Sequence, residues 1–121
     1  MNSIRLKVGK MIGFGDVTKS VIPKMALLSK SETGSIRSRY FMPWQCHSSH
    51  AITGTVCLAT ASKSKGTICN DFYSDFSDEG EFAVEHPTGS LKIKVKLKRE
   101  GEEIVDVVAT TTRHARLIMS G

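Results

Sequence analysis

The sequence lacks the features of a membrane-spanning, disulfide-stabilised or zinc-binding protein. No apolar run approaches the ~20 residues that a transmembrane helix needs, and the first ten residues are polar and helix-like rather than a signal peptide. Its three cysteines, Cys46, Cys57 and Cys69, are an odd number without paired spacing, which argues against a disulfide framework and against a zinc site. We therefore expect a cytoplasmic protein with no membrane partner, no metal and no cofactor.

Aromatic residues are also few, which bears on how the positive charge is interpreted. They make up 7% of the 121 residues, whereas the net charge is +5. The densest basic run, residues 92–99, alternates lysine with Ile93, Val95 and Leu97, so a strand would carry one apolar face and one lysine face. Without an aromatic stacking surface, this pattern favours a solvated strand face over a nucleic-acid partner.

The composition and the spacing of apolar residues indicate one globular domain of mixed secondary structure. Apolar residues make up 40% and charged residues 24%, as in folded rather than disordered chains. Apolar spacing at Ile4, Val8, Met11 and Ile12 predicts a helix over residues 3–12 with one apolar face. A second helix, residues 54–62, is apolar nearly all round and is expected to be buried. Strands are predicted at residues 24–29, 35–42, 67–73, 81–85, 90–98 and 104–111, which gives an α+β class.

Residues 47–58 are the most informative stretch: a polar, histidine-bearing loop runs through Thr53, Gly54 and Thr55 into the apolar helix. N–H groups at a helix start have no partner within the helix and carry partial positive charge, so a carboxylate or phosphate can bind there. Gly54 would let a ligand approach the backbone closely, and either threonine could add a hydroxyl donor. The alternative is an ordinary helix start with Thr53 as N-cap.

Four patches in order along the chain resemble the C-terminal half of the 2-methylaconitate isomerase (PrpF) family. They are Val-Ile-Pro-Lys-Met-Ala at 21–26, the stretch 47–57, His-Pro-Thr-Gly at 86–89 and Arg-His-Ala-Arg-Leu-Ile-Met at 113–119. The stretch 47–57 has the family's histidine six residues before Thr-Gly and its cysteine three residues after that glycine. The family includes methylitaconate isomerase and 4-oxalomesaconate tautomerase. Its diaminopimelate epimerase-like fold wraps a β-barrel-like sheet around a central helix, duplicated in two domains.

The resemblance implies an isomerase that moves a double bond, or inverts geometry, in unsaturated di- and tricarboxylates by proton transfer. It places Thr53, Gly54 and Thr55 at the anion-binding turn of the second domain, facing the other half across a cleft. His47 matches the family histidine, which makes it the candidate to bind a carboxylate or relay a proton. From the residues alone, a structural role for His47 is an equal alternative.

The remaining polar candidates have weaker support. For His50 and His86, a structural role in a loop or at a strand end is favoured. Arg113 and Arg116 could face a polyanionic substrate or lie on the surface. Cys46 has no base beside it in the sequence, so a spectator role is favoured, and Cys57 is expected to be a buried small hydrophobe.

Two departures from the family pattern limit what this chain is expected to do alone. No stretch matches the family's Gly-rich, Ser-Lys-containing motif, whose lysine is the expected base, and full family members are much longer. Residues 1–121 are therefore expected to form a single, incomplete C-terminal domain that is inactive without the N-terminal half of the enzyme and can form a homo-oligomer. The alternatives are a non-catalytic basic domain that binds an anion or RNA, and an inactive fragment.

Overall fold

The protein is described here by a computed structural model that covers residues 1–113, 115 and 117–119. Three helices and five strands follow one another in a mixed order. They are α1 (Asn2–Met11), β1 (Met25–Ser29), β2 (Ile36–Phe41), α2 (Ile52–Ser62), α3 (Ile68–Phe72), β3 (Glu79–His86), β4 (Gly89–Glu100) and β5 (Glu103–Thr110). The predicted α+β class is confirmed.

The five strands form one sheet in the order β1-β2-β3-β4-β5. Neighbouring strands are antiparallel except β2 and β3, which are parallel and pair Ile36 with Val84 and Arg37 with Glu85. Because parallel strands end at the same edge of a sheet, the loop that follows β2 and the turn that follows β3 leave the sheet side by side. This edge is where the candidate site lies.

The core lies between one face of the sheet and α2. Its buried side chains come from β2, β3, β4, α2 and α3, and they are Ile36, Leu58, Ala59, Cys69, Phe82, Val84, Ile93 and Val95. The predicted alternation in β4 is confirmed, since Ile93, Val95 and Leu97 are buried while the lysines between them are exposed. On that exposed face Lys92 lies 3.3 Å from Glu81 of β3, and Lys96 lies 3.7 Å from Glu79.

The strand predicted over residues 67–73 is wrong, because this segment forms α3. Thr67 is its N-cap, with the hydroxyl oxygen accepting the Asn70 N–H at 3.2 Å. The Asn70 side chain also donates to the Ser62 carbonyl at 2.7 Å, which ties α3 to the end of α2. The cap and the burial of Cys69 in the core outweigh the β-propensity of the threonine, isoleucine and aromatic residues.

Helix α1 forms as predicted, but its apolar face points outward. Ile4, Met11 and Ile12 are 52%, 84% and 51% exposed, whereas Arg5 and Gly9 are buried. The Arg5 guanidinium turns inward because its Nη1 donates to the carbonyls of Val17, Ser20 and Ile22 at 2.9–3.1 Å. The hydrophobic spacing therefore predicted the helix correctly and its buried side wrongly.

Helix α2 is also less enclosed than its composition suggests. It buries Gly54, Thr55, Leu58, Ala59 and Ser62 against the sheet, but Cys57 is exposed, as is Thr53 one turn earlier. The prediction that Cys57 is a buried hydrophobe is therefore wrong. Cys57 and Thr53 are four residues apart, so they share the stripe of α2 that faces away from the sheet.

Candidate functional site

The first turn of α2 presents backbone donors without partners. Ala51 is the N-cap, with φ −74° and ψ 137°, and no side chain caps the helix. The helix thus begins two residues before the predicted start, and Thr53 lies inside it rather than at the N-cap. The N–H groups of Ile52, Thr53 and Gly54 come too early for a bond to a preceding turn. Within the described part of the chain, none of the three donates a hydrogen bond.

Gly54 is required by internal packing. A Cβ at this position would lie 2.8 Å and 3.0 Å from two ring carbons of Tyr40 and 3.2 Å from Cε1 of His50. The glycine therefore lets the first turn of α2 sit directly against β2. This is a different reason from the close approach of a ligand that the sequence suggested.

His50 connects that first turn to the sheet. Its Nδ1 lies 3.1 Å from the Ala51 carbonyl and 3.0 Å from the Thr55 hydroxyl, and its Nε2 lies 3.1 Å from the Ser38 hydroxyl. Burial lowers the pKa of His50, so the ring is neutral at pH 7, donates through Nδ1–H to Ala51 and accepts from Ser38 at Nε2. This geometry fits a structural role.

Thr55 belongs to the same network. It is fully buried, and its hydroxyl and its N–H both donate to the Ala51 carbonyl, at 3.0 Å and 2.9 Å. Because both donors are engaged, Thr55 holds the shape of the helix start, while the exposed Thr53 carries a hydroxyl on the outer stripe.

His47 lies on the loop between β2 and α2 and is half-buried. Its backbone N–H donates to the Tyr40 carbonyl at 2.7 Å, which fixes the loop on the end of β2. Its Nδ1 accepts the Ser49 N–H at 3.0 Å, with the Ser49 hydroxyl 3.3 Å away. The imidazole is therefore held by one nitrogen, and within the described residues its Nε2 has no hydrogen-bond partner.

The structure adds His86 to this neighbourhood. Burial, together with electrostatic repulsion from His47 and Arg39, lowers the pKa of His86, so His47 and His86 lie within electrostatic range of each other. A hydrogen bond of 2.9 Å from the Thr88 hydroxyl to the Ser48 carbonyl joins the loop of His47 to the turn after His86. The His-Pro-Thr-Gly patch was the available sequence signal for His86.

Other predicted candidates lie elsewhere. Cys46 is exposed, and its thiol lies 3.6 Å from the His47 carbonyl, which is not a base. Arg113 is exposed beyond β5, and Arg116 lies outside the described residues. A surface cavity of about 580 Å³ is lined by residues of β3, β4, β5 and the segment after β5, and none of the predicted site residues contributes to it.

Two features are absent from the residues that the structure describes. These residues contain no group of three or more His, Cys, Asp or Glu side chains placed to hold a metal ion. They also contain no helix with the length and apolar character needed to cross a membrane.

Comparison with known proteins gives relatives along the whole chain. It is 38% identical over 122 residues to YbhH of Escherichia coli (strain K12), whose name assigns it to the isomerases, and 33% identical over 123 residues to 4-oxalomesaconate tautomerase of Pseudomonas putida. Both alignments cover 100% of this chain, which spans about a third of the length of each relative. A stretch covering 69% of the chain is 32% identical to 21% of 3-methylitaconate isomerase of Eubacterium barkeri.

The fold has a solved counterpart in a crystal structure of methylitaconate-delta-isomerase. The two superpose with a TM-score of 0.71 at 22% identity, covering 88% of this chain and 35% of the other. The predicted diaminopimelate epimerase-like fold, with a curled five-stranded sheet, is thereby confirmed. Residues 1–121 match the PrpF protein family throughout, so the chain belongs to the PrpF family.

Proposed function

We propose that this chain supplies the carboxylate-binding half of an active site that isomerises or tautomerises unsaturated di- and tricarboxylates by proton transfer. The observation that carries the proposal is the start of α2, where the N–H groups of Ile52, Thr53 and Gly54 have no partner within the described chain and point out of the end of the helix. Such a helix start binds a carboxylate through oriented donors and the helix dipole.

A carboxylate held in this way assists removal of a proton from the neighbouring carbon. Negative charge that develops on the substrate meets N–H groups already fixed in place, so no solvent has to reorganise. The Thr53 hydroxyl adds a donor at the same turn, and His47 binds a second oxygen or relays a proton. Gly54, Thr55 and the buried His50 keep the turn in this shape.

The remaining part of the reaction is assigned to a partner, the N-terminal half of the same enzyme. No lysine here lies in a motif suited to the base, and the matched relatives are about three times as long as this chain. Apolar side chains near α1 and on the loop after β2 are exposed and provide a surface for that half. They are Ile4, Met11, Ile12, Phe14, Val21, Met42 and Trp44. A homo-oligomer would cover the same surface.

The nucleic-acid alternative has less support from the geometry. Its basis is the lysine face of β4, and two of those lysines have glutamates of β3 beside them. The carboxylates weaken the positive potential that phosphate binding needs.

The experiment removes one N–H donor without disturbing the helix. Proline at the first helical position lacks only a donor that has no helical partner, and the extended Ala51 already has the backbone conformation that a residue before proline prefers. We expect Ile52→Pro to bind trans-aconitate about tenfold more weakly than Ile52→Ala in isothermal titration, since a hydrogen bond to a charged group contributes about 1.5 kcal/mol or more.

Ile52→Ala is the matched control because it removes the same side chain and keeps the N–H. Gly54 is unsuitable for this test, because any side chain there would collide with Tyr40. Circular dichroism must show the same helix content in both variants. Equal affinities of Ile52→Pro and Ile52→Ala would refute binding at the start of α2.

A further inference from the structure

His47 and His86 sit in the same local arrangement. Each is followed two residues later by a hydroxyl residue, Ser49 or Thr88. In each pair the histidine Nδ1 faces the backbone N–H of that later residue, at 3.0 Å for His47 and 3.4 Å for His86, with the hydroxyl oxygen 3.3 Å away in both. Both imidazoles are thus held from the Nδ1 side by their own loops.

This arrangement determines which nitrogen carries the proton. A backbone N–H can only donate, so Nδ1 of each ring must be the acceptor, and the neutral ring then carries its hydrogen on Nε2. In the part of the chain that the structure describes, neither Nε2 has a hydrogen-bond partner. Each ring therefore presents one free donor.

The two rings belong to one edge of the molecule. The loop after β2 and the turn after β3 leave this parallel strand pair at the same edge of the sheet. A hydrogen bond from the Thr88 hydroxyl to the Ser48 carbonyl joins them. His86 follows Phe82 and Val84 at the two-residue period of a strand, so it lies on the face that α2 covers. The bond of His50 to Ser38 of β2 places the start of α2 at that edge too.

The donors at this edge favour an anion over a cation. The titratable groups that act on His50 are His86 and His47, and His47 also acts on His86, with no carboxylate among them. Arg39 acts on His86 as well, but it shares a face of β2 with Arg37 and also acts on Glu85. Glu85 precedes His86, but it lies on the other face of the sheet, where Arg37 and Ser31 bind its carboxylate at 2.7 Å and 2.8 Å.

We propose that His86 is a further carboxylate-binding residue. It acts with His47, their Nε2–H groups donating to one carboxylate of the substrate while a second carboxylate lies on the first turn of α2. This inference rests on the proposed function and extends it, because it requires at least two carboxylates on the substrate. A monocarboxylate would occupy one subsite and leave the other empty.

The test uses the full 121-residue chain with trans-aconitate and the monocarboxylate crotonate as probes. Nitrogen-15 NMR of the imidazoles should show the Nε2–H tautomer for His47 and His86, and trans-aconitate should shift both Nε2 resonances. We expect His86→Ala to weaken binding of trans-aconitate about fivefold, the effect of one hydrogen bond. His86→Gln, whose amide carries a donor near the Nε2 position, should recover most of it. Crotonate has a single carboxylate, which the first turn of α2 should hold, so its affinity should fall less than twofold in both variants.

The outcomes separate this inference from the proposed function. If Ile52→Pro weakens binding of trans-aconitate but His86→Ala does not, the helix site stands and the role of His86 is refuted. If neither substitution matters, both proposals fail. If His86→Ala does not fold, the wild-type spectra decide. An Nδ1–H tautomer at His86, or Nε2 resonances that do not shift when trans-aconitate is added, overturns the inference.

Discussion

Lys63 offers the sharpest test of how the end of α2 is held. It is the C-cap residue of α2 and is 1% exposed. Its ammonium donates to the Asp75 carboxylate at 2.7 Å and to the Ser77 carbonyl at 2.8 Å. The Lys63 carbonyl in turn accepts from Arg99 of β4 at 2.9 Å. One buried cation thus joins α2 to the segment that leads into β3.

The lowered pKa of Asp75 shows how much its contact with Lys63 and Ser77 stabilises the fold. Partial burial raises the pKa of Asp75, but hydrogen bonds from Lys63 and Ser77 outweigh this and lower it to about 2 from an ordinary value of 3.8. A lowered folded-state pKa stabilises the protein above the unfolded value, and this stability is lost as the pH falls through the folded value. At 1.36 kcal/mol for each pKa unit between 3.8 and about 2, Asp75 contributes about 2 kcal/mol to the free energy of unfolding at pH 7.

We therefore expect Lys63→Met to lower the free energy of unfolding by about 2–4 kcal/mol at pH 7. Methionine has a similar length, so the main change is loss of the cation beside Asp75. In urea, with an m-value of about 2 kcal/mol/M, the midpoint should fall by about 1–2 M. The difference from wild type should shrink as the pH falls from 4 to 2, because Asp75 then becomes protonated.

Lys65→Met is the matched control. Lys65 also forms a 2.7 Å ion pair, with Glu102, but both side chains are mostly exposed, at 71% and 84%. Solvent screens such pairs, so its urea midpoint should stay close to that of wild type. Equal midpoints for the two variants, or a Lys63→Met deficit that persists unchanged at pH 2, would refute this account of Lys63.

Three further predictions concern the cysteine thiols, the exposed apolar surface around α1 and the catalytic base that we expect in the other half of the enzyme. A thiol reagent should label Cys57 and Cys46 rapidly and Cys69 only on unfolding, because Cys69 is buried and burial raises its pKa; fast labelling of all three would contradict this burial pattern. The exposed apolar surface around α1 should bind a hydrophobic dye and promote self-association in sedimentation; a compact monomer without dye binding would count against it. The chain alone should not exchange protons of trans-aconitate with deuterated buffer, since loss of a positioned base costs about 10²–10⁴-fold, and NMR-detected turnover near 1 s⁻¹ would mean that a base is present here.

Features that depend on neighbours in sequence could be predicted from the sequence. The two-residue alternation of β4 correctly placed Ile93, Val95 and Leu97 inside and the lysines outside, because a strand alternates its faces whatever it packs against. The apolar segment after Thr53 predicted α2. Four patches in order along the chain, among them the spacing of histidine, Thr-Gly and cysteine, indicated the PrpF family, which the match over residues 1–121 confirms.

Features that depend on long-range pairing were decided by the tertiary structure. Spacing predicted a buried apolar face for α1. Arg5 instead donates to carbonyls of the loop that follows α1, and this turns the apolar face outward. Residues 67–73 have the composition of a strand, yet the cap at Thr67 and packing onto α2 make them a helix. Local propensity is worth only tenths of a kcal/mol for each residue, so such contacts override it.

The candidate site likewise combines features that the sequence predicts with features that only the tertiary structure decides. His47 and the first turn of α2 are close in sequence, so their proximity could be predicted. His86 joins them because β2 and β3 pair in parallel and end at the same edge, a fact that no local pattern contains. Gly54 was singled out from the sequence as part of an anion-binding turn, whereas the contact with Tyr40 and His50 that requires a glycine exists only once α2 lies on β2.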